Sequence, residues 1–154
     1  MSETAIRIEN VNKRFGATHA VRDLDLTVPP GSLCGFLGPN GAGKSTTIRM
    51  IMSIIYPDSG SIEVLGANAL AKKDRIGYLP EERGLYRKMR VGEFLDYIAR
   101  LKGARRGGGS RTVEQWLERV ELPDVARKRC QELSKGMQQK IQFLASIIHE
   151  PDLL

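Results

Sequence analysis

The stretch Gly38-Pro39-Asn40-Gly41-Ala42-Gly43-Lys44-Ser45 decides the fold of this 154-residue chain. It matches the pattern GxxxxGK[ST] at every defined position, and it lies between an apolar run at residues 32–37 and helical apolar spacing at residues 44–55. In this pattern glycines allow tight turns and close approach of the main chain, so that backbone N–H groups and a helix N-terminus face an anion. Residues 38–45, hereafter the phosphate loop, are therefore predicted to bind the phosphates of a nucleotide.

The side chains of the phosphate loop have separate expected roles. Lys44 would reach the β- and γ-phosphates, Ser45 would place its hydroxyl on Mg²⁺, and Thr46 would support the α-phosphate side. The candidate nucleotide-binding residues of this segment are Gly38, Pro39, Asn40, Gly41, Ala42, Gly43, Lys44, Ser45 and Thr46. The alternative is a glycine-rich turn with no ligand, which the agreement of both flanking elements makes the weaker interpretation.

Apolar periodicity predicts the surrounding elements. Alternation indicates half-buried, antiparallel strands at residues 5–11 and 20–28, and short apolar runs indicate strands at residues 32–37, 61–65 and 75–79. The run at residues 32–37 has the composition of a strand buried on both faces. Helical spacing predicts helices at residues 44–55, 91–102, 112–120 and 137–148, and a further strand is expected to begin at Leu153.

Composition excludes several classes of protein. Apolar residues make up 41%, charged residues 27% and aromatic residues 6%, as in one globular domain. No stretch approaches the ~20 apolar residues of a membrane span, and no secretory signal opens the chain. Cys34 and Cys130 indicate neither a disulfide framework nor a zinc site. The net charge of +6 is dispersed and lacks interleaved aromatic residues, so we expect a cytosolic protein with no nucleic-acid partner.

Residues 38–47 resemble the ATP-binding subunits of ABC transporters, and the resemblance covers the whole chain. It implies an α/β fold with a P-loop NTPase core built on a parallel sheet, an antiparallel β part and a helical subdomain, incomplete at the C-terminus. The implied division places the nucleotide-binding core and β part at residues 1–84 and 131–154, and the helical subdomain at residues 85–130.

A second segment, Asn12-Lys13-Arg14-Phe15-Gly16, resembles the adenine-stacking loop of this family. The resemblance implies that the Phe15 ring lies under the base of ATP. An aromatic residue at a strand end is, from the residues alone, more often part of an ordinary core.

Residues 76–86 resemble the loop that links the core to the helical subdomain in the family. Most members carry glutamine where this chain has Glu81. The resemblance implies that Glu81 contacts Mg²⁺ and the attacking water, and senses the transmembrane partner. A carboxylate can bind a hard cation, although it lacks the two donors of glutamine. A solvated loop carboxylate is the alternative.

A third segment, Leu133-Ser134-Lys135-Gly136-Met137, resembles the family signature LSGGQ, with lysine and methionine at two of its positions. The resemblance implies that Ser134, Lys135, Gly136 and Met137 act in trans, on the γ-phosphate bound by the opposite subunit of a homo- or heterodimer. Ser134 also fits a simple helix N-cap, and both roles are compatible.

The residues that complete hydrolysis in the family are a metal-binding Asp and a catalytic Glu after an apolar strand, and a later switch His. We find no such strand, and His19 and His149 do not occupy the place of the switch His. The chain is therefore expected to be the N-terminal portion of an ATP-binding domain. The sequence does not decide whether this chain hydrolyses ATP itself or only binds nucleotide.

The function implied by the resemblance is coupling of MgATP binding and hydrolysis to transport by transmembrane permease subunits. The residues of the Glu81 loop and of the signature-like segment at 133–137 are most similar to those of bacterial exporters of the sodium and antibiotic type. Such a subunit is peripheral at the inner face of the cell membrane, with no direct membrane insertion. The alternatives are a soluble ABC ATPase acting on ribosomes or DNA, a non-catalytic nucleotide-binding fragment and, least favoured, a small kinase.

Overall fold

The computed structural model describes residues 4–80, 84–103 and 112–154. The chain divides into two compact units, Met1–Lys72 and Lys73–Leu154. The elements follow in the order β1 (Ile6–Phe15), β2 (Thr18–Val28), α1 (Lys44–Ile51), β3 (Ser59–Val64), α2 (Val91–Leu101), α3 (Val113–Arg119) and α4 (Lys135–Ile147), with 3-10 turns at Ala69–Lys72, Pro123–Val125 and Cys130–Glu132.

The first unit contains a three-stranded antiparallel sheet in the order β2-β1-β3. A bulge in β1 brings Ile8 and Val11 to the same buried cluster although they are three positions apart, because their partners Leu26 and Leu24 are only two apart. Asn10 takes up the extra residue with φ 48°, and its N–H donates to Asp25 Oδ1 at 2.8 Å. The two predicted antiparallel strands are thus confirmed, with a register that alternation alone does not give.

Helix α1 lies against this sheet and ends earlier than its apolar spacing predicts. The spacing predicts an end near residue 55, whereas the last helical residue is Ile51. Ser53 adopts a left-handed φ of 52°, and the Ile54 N–H donates to the Arg49 carbonyl at 2.9 Å, which turns the chain. Ile55 nevertheless packs against the cluster of the sheet. The apolar periodicity up to Ile55 therefore indicates burial of this side chain and not continuation of the helix.

The prediction of a doubly buried strand at residues 32–37 is wrong. The described residues include no strand there, and Leu33 and Leu37 are 102% and 93% exposed. An apolar run becomes a central strand only when partner strands hydrogen-bond on both sides, and no partner lies beside it in residues 4–80. The expected strand at residues 75–79 is likewise reduced to one parallel bridge, between Ile76 and Leu153.

The second unit is built on α2, α3 and α4, which confirms the helices predicted for this part of the chain to within a few residues. Their buried side chains form one cluster with the 3-10 turns, comprising Val91, Phe94, Leu95, Ala99, Val113, Trp116, Leu117, Val125, Cys130, Leu133, Ile141, Leu144 and Ile148. Helix α4, which the expected division places in the nucleotide core, shares this cluster with α2 and α3. The domain boundaries at residues 84 and 131 stay a prediction. Within the described residues, no helix is long and apolar enough to cross a membrane.

Leu95 and Leu101, both on α2, provide a matched test of this cluster. Leu95 is fully buried, whereas Leu101 is 60% exposed. We expect Leu95→Ala to lower the free energy of unfolding by about 2–5 kcal/mol, because it leaves a cavity among packed side chains. Leu101→Ala should lower it by less than about 0.5 kcal/mol. Urea unfolding of both variants measures the difference, and equal losses would contradict the assigned core.

Candidate nucleotide-binding site

The phosphate loop is shaped by two glycines with left-handed backbone. Gly41 has φ 83°, and Gly43, the N-cap of α1, has φ 81°. A Cβ atom on Gly43 would overlap the carbonyl oxygen of Ala20 and approach Val21 Cγ2 to 3.1 Å. Only glycine therefore allows the start of α1 to lie this close to the backbone of β2.

Lys44 folds its ammonium group back over the phosphate loop. Its Nζ donates to the carbonyl oxygens of Gly38 and Pro39, at 2.6 and 2.7 Å. The Ala42 N–H donates to the Pro39 oxygen at 3.2 Å, which closes the turn. No acidic residue lies in the first turn of α1, so the positive end of the helix dipole and the Lys44 charge act together. The arrangement is suited to an anion.

The hydroxyl residues after Lys44 lie on the first turn of α1. Ser45 is exposed, Thr46 is half-buried, and Thr47 is 2% exposed, with its N–H donating to the Gly43 carbonyl at 2.8 Å. Hard cations such as Mg²⁺ prefer oxygen ligands. An accessible Ser45 at the helix start beside Lys44 therefore fits the predicted role as one metal ligand.

Phe15 lies at the end of β1, opposite Thr18 on β2, and is 51% exposed. An exposed ring does not agree with the alternative that Phe15 belongs to an ordinary core. Gly43 packs against Ala20 of β2, and its neighbour Val21 is paired with Lys13 of β1, two residues before Phe15. The ring and the phosphate loop are thus carried by the same end of one hairpin.

Ser134 caps helix α4 in the second unit. Its Oγ accepts the Met137 N–H at 3.3 Å, which confirms the capping role expected from its position. Gln138 Nε2 donates to the carbonyl oxygens of Cys130 and Leu133, at 3.2 and 3.0 Å, and so fixes the segment before the helix. Lys135 and Gly136 are exposed and Met137 is half-buried, so the helix start is accessible.

Glu81, the predicted catalytic and metal-binding residue of the linking loop, lies outside the described residues. Before it, the Pro80 carbonyl oxygen accepts from Gln142 Nε2 of α4 at 3.2 Å.

His149 and Lys102 share a hydrogen-bond acceptor, which local sequence patterns do not predict. His149 Nε2 donates to the Ile76 carbonyl oxygen at 3.2 Å, and Lys102 Nζ donates to the same oxygen at 3.1 Å and to Lys73 O at 2.8 Å. His149 Nδ1 is buried and has no hydrogen-bond partner among the described residues. Burial lowers the pKa of both side chains. No signal in the sequence brings residues 102 and 149 to one carbonyl.

The fold and the phosphate loop define the chain as an α/β nucleotide-binding protein of the P-loop class. Comparison with known proteins gives the family. The model of the ABC transporter family matches residues 21–154, and the chain belongs to this family.

Two curated relatives and one solved structure illustrate the similarity. The chain is 47% identical over 150 residues to the ABC transporter ATP-binding protein YhaQ of Bacillus subtilis, covering 97% of this chain and 50% of that protein. It is 38% identical over 160 residues to the daunorubicin resistance ATP-binding protein DrrA3 of Streptomyces coeruleorubidus, covering 100% and 50%. A structure described as the ATP-binding subunit of an ABC transporter matches with a TM-score of 0.86 and 26% identity, over 96% of this chain and 63% of that one. The chain thus spans about half the length of YhaQ and of DrrA3.

The burial of His149 should make the free energy of unfolding depend on pH. The pKa of His149 in the folded state is lowered from 6.5, mainly by burial; the hydrogen bond to the Ile76 carbonyl opposes this shift, and the nearby charges of Lys102 and Asp74 lower and raise the pKa by smaller amounts. Below pH 6.5 the unfolded state therefore binds more protons than the folded state. The contribution of His149 to the free energy of unfolding is full above that pH and is lost as the pH falls below it.

We expect His149→Gln to flatten the dependence of the free energy of unfolding on pH between about pH 5 and 7. Urea unfolding at a series of pH values measures this slope. His19→Gln, which replaces the only other histidine of the sequence, is the control. An unchanged slope in His149→Gln would contradict the assigned burial of the neutral ring.

Proposed function

We propose that this chain is the nucleotide-binding part of an ABC transporter subunit that binds MgATP and couples ATP hydrolysis to transport by transmembrane permease subunits. The phosphate loop is the observation that carries the proposal. Its left-handed glycines, the Lys44 ammonium and the start of α1 combine main-chain donors with positive charge. The ABC family to which the chain belongs consists generally of ATPases.

Lys44 changes partners when nucleotide binds in this proposal. Its ammonium leaves the carbonyl oxygens of Gly38 and Pro39, which hold it at 2.6 and 2.7 Å, for the β- and γ-phosphates. Charged oxygens are better acceptors than neutral carbonyls, so the exchange favours the bound state.

Mg²⁺ supplies charge neutralisation of the phosphates when bound, and Ser45 and Glu81 are the side chains proposed to hold it. Thr46 supports the α-phosphate side, and Phe15 stacks on the adenine.

In this proposal, residues 133–137, which resemble the family signature, complete the nucleotide-binding site of a second subunit. Two subunits form a dimer, and Ser134, Lys135, Gly136 and Met137 of one face the γ-phosphate bound by the other. Support comes from the accessible start of α4, where Lys135 adds positive charge and no acidic residue lies in the first turn. The two roles of Ser134, cap and anion ligand, use the same oxygen-rich helix start.

The proposed partners are permease subunits, with the protein in the cytoplasm and peripheral at the inner face of the cell membrane. The relatives support an exporter of the antibiotic-resistance type, because DrrA3 is named for daunorubicin resistance and matches the whole chain. The nucleotide core is proposed at residues 1–84 and 131–154, and the helical subdomain, which would meet the permease, at residues 85–130.

Lys44→Ala tests the central part of the proposal. We expect it to weaken MgATP binding at least tenfold, because a charge-assisted contact to the phosphates is lost. Arg49→Ala is the control, since it removes an equal charge from the last turn of the same helix. Isothermal titration of the full-length protein measures both, and unchanged affinity in Lys44→Ala would overturn the proposed site.

Ser134 variants separate the cap from the action in trans. Ser134→Ala should lose the cap and cost about 1 kcal/mol in the free energy of unfolding, whereas Ser134→Asp should keep the cap. Both should lose ATPase activity if the segment faces a phosphate, because the aspartate adds negative charge beside an anion. Thermal unfolding and phosphate release by the full-length protein give the two readouts. Full ATPase activity in a folded Ser134→Asp protein would contradict the role in trans.

A further inference from the structure

We propose that Lys13 and Asp58 position the Phe15 ring for base stacking, with the Lys13 ammonium on one face of the ring and the nucleotide base on the other. The inference rests on the proposed stacking of Phe15. It assigns a nucleoside-specific role to Lys13, which lies in the same segment as Phe15, and to Asp58, which no motif of the sequence singles out.

Asp58 holds the end of β1 through both carboxylate oxygens. Oδ1 accepts from Lys13 Nζ at 2.7 Å, and Oδ2 accepts the Arg14 N–H at 2.7 Å. The Asp58 N–H donates to the Asn12 carbonyl oxygen at 2.9 Å. One residue thus fixes three consecutive positions of the strand immediately before Phe15.

The tethered ammonium also contacts the ring. Lys13 Nζ lies 5.6 Å from the centroid of Phe15, within the range of a cation–π interaction. The Lys13 side chain is only 16% exposed, so the ammonium is held in place. Lys13 is also the main cause that lowers the pKa of Asp58, followed by the Arg14 amide, which keeps the carboxylate charged. Phe15 is 51% exposed, so part of its side chain is accessible to a ligand.

Two physical effects connect this arrangement to nucleotide binding. A ring whose position is fixed in advance loses less conformational entropy when a base stacks on it. A cation on one face withdraws electron density from the ring, which favours contact of the opposite face with an electron-rich purine. Neither effect involves the phosphates, so the pair should act on the nucleoside part of the ligand alone.

The test compares MgATP with inorganic tripolyphosphate, which carries the phosphates without the nucleoside. Dissociation constants of both are measured by isothermal titration in the full-length protein. We expect Lys13→Met and Asp58→Asn each to weaken MgATP binding about two- to fivefold, and to leave tripolyphosphate binding unchanged. Lys13→Arg should retain most of the affinity, because it keeps a cation within reach of the ring and the carboxylate.

Matched controls separate this role from a loss of folding. Glu9→Gln removes a carboxylate from another ion pair of β1, in which Arg7 Nε donates to Glu9 Oε1 at 2.8 Å, and should leave both ligands unaffected. In a Phe15→Ala background, Lys13→Met should have no further effect on MgATP binding. Thermal unfolding reports the stability of each variant, and Lys13→Met serves alone if Asp58→Asn does not fold.

The outcomes distinguish this inference from the proposed function. If Phe15→Ala weakens MgATP binding but Lys13→Met does not, stacking stands and the positioning role is overturned. If Lys13→Met weakens tripolyphosphate as much as MgATP, Lys13 contacts phosphate and the inference is also overturned. If Phe15→Ala has no effect, the proposed stacking fails, and the inference fails with it.

Discussion

The close approach of Gly43 to β2 is the constraint on which the candidate site depends. A side chain on this residue would overlap the Ala20 carbonyl oxygen, and its φ of 81° lies in the left-handed region. Both conditions require glycine. They place the first turn of α1 against the backbone of the hairpin, so the position of Lys44 is set by main chain and not by a flexible contact. The placement of the helix start beside the hairpin therefore depends on Gly43, while Gly41, with φ 83°, shapes the preceding turn of the phosphate loop.

A second consequence is electrostatic. The phosphate loop concentrates positive charge at a helix start that carries no acidic residue in its first turn. In the structure, Lys44 directs this charge at two carbonyl oxygens of the loop itself, those of Gly38 and Pro39. Neutral carbonyls only partly compensate a cation, so a phosphate is a stronger partner for the same group. The loop is thus ordered around its own lysine and remains suited to exchange that contact for a ligand.

Features set by local sequence could be predicted, and features set by distant partners could not. The phosphate loop, the start of α1 at Lys44 and the cap at Ser134 are local, and the structure has all three in the expected places. The apolar run at residues 32–37 predicts a strand, yet a strand needs hydrogen-bonded neighbours that sequence periodicity does not supply. Asp58 lies 45 residues from Lys13, and no short-range pattern links them. The role of Glu81 stays a prediction.

Chemical-shift mapping of backbone amides is the most direct test that the phosphate loop binds the triphosphate of a nucleotide. The full-length protein, labelled with nitrogen-15, would be titrated with MgATP and separately with inorganic tripolyphosphate. We predict that the amide resonances of Gly41, Gly43 and Lys44 shift with both ligands, because the proposed site places their N–H groups against the phosphates, and that the resonance of Phe15 shifts only with MgATP. Resonances of the loop that stay unmoved while MgATP binds elsewhere would contradict this account.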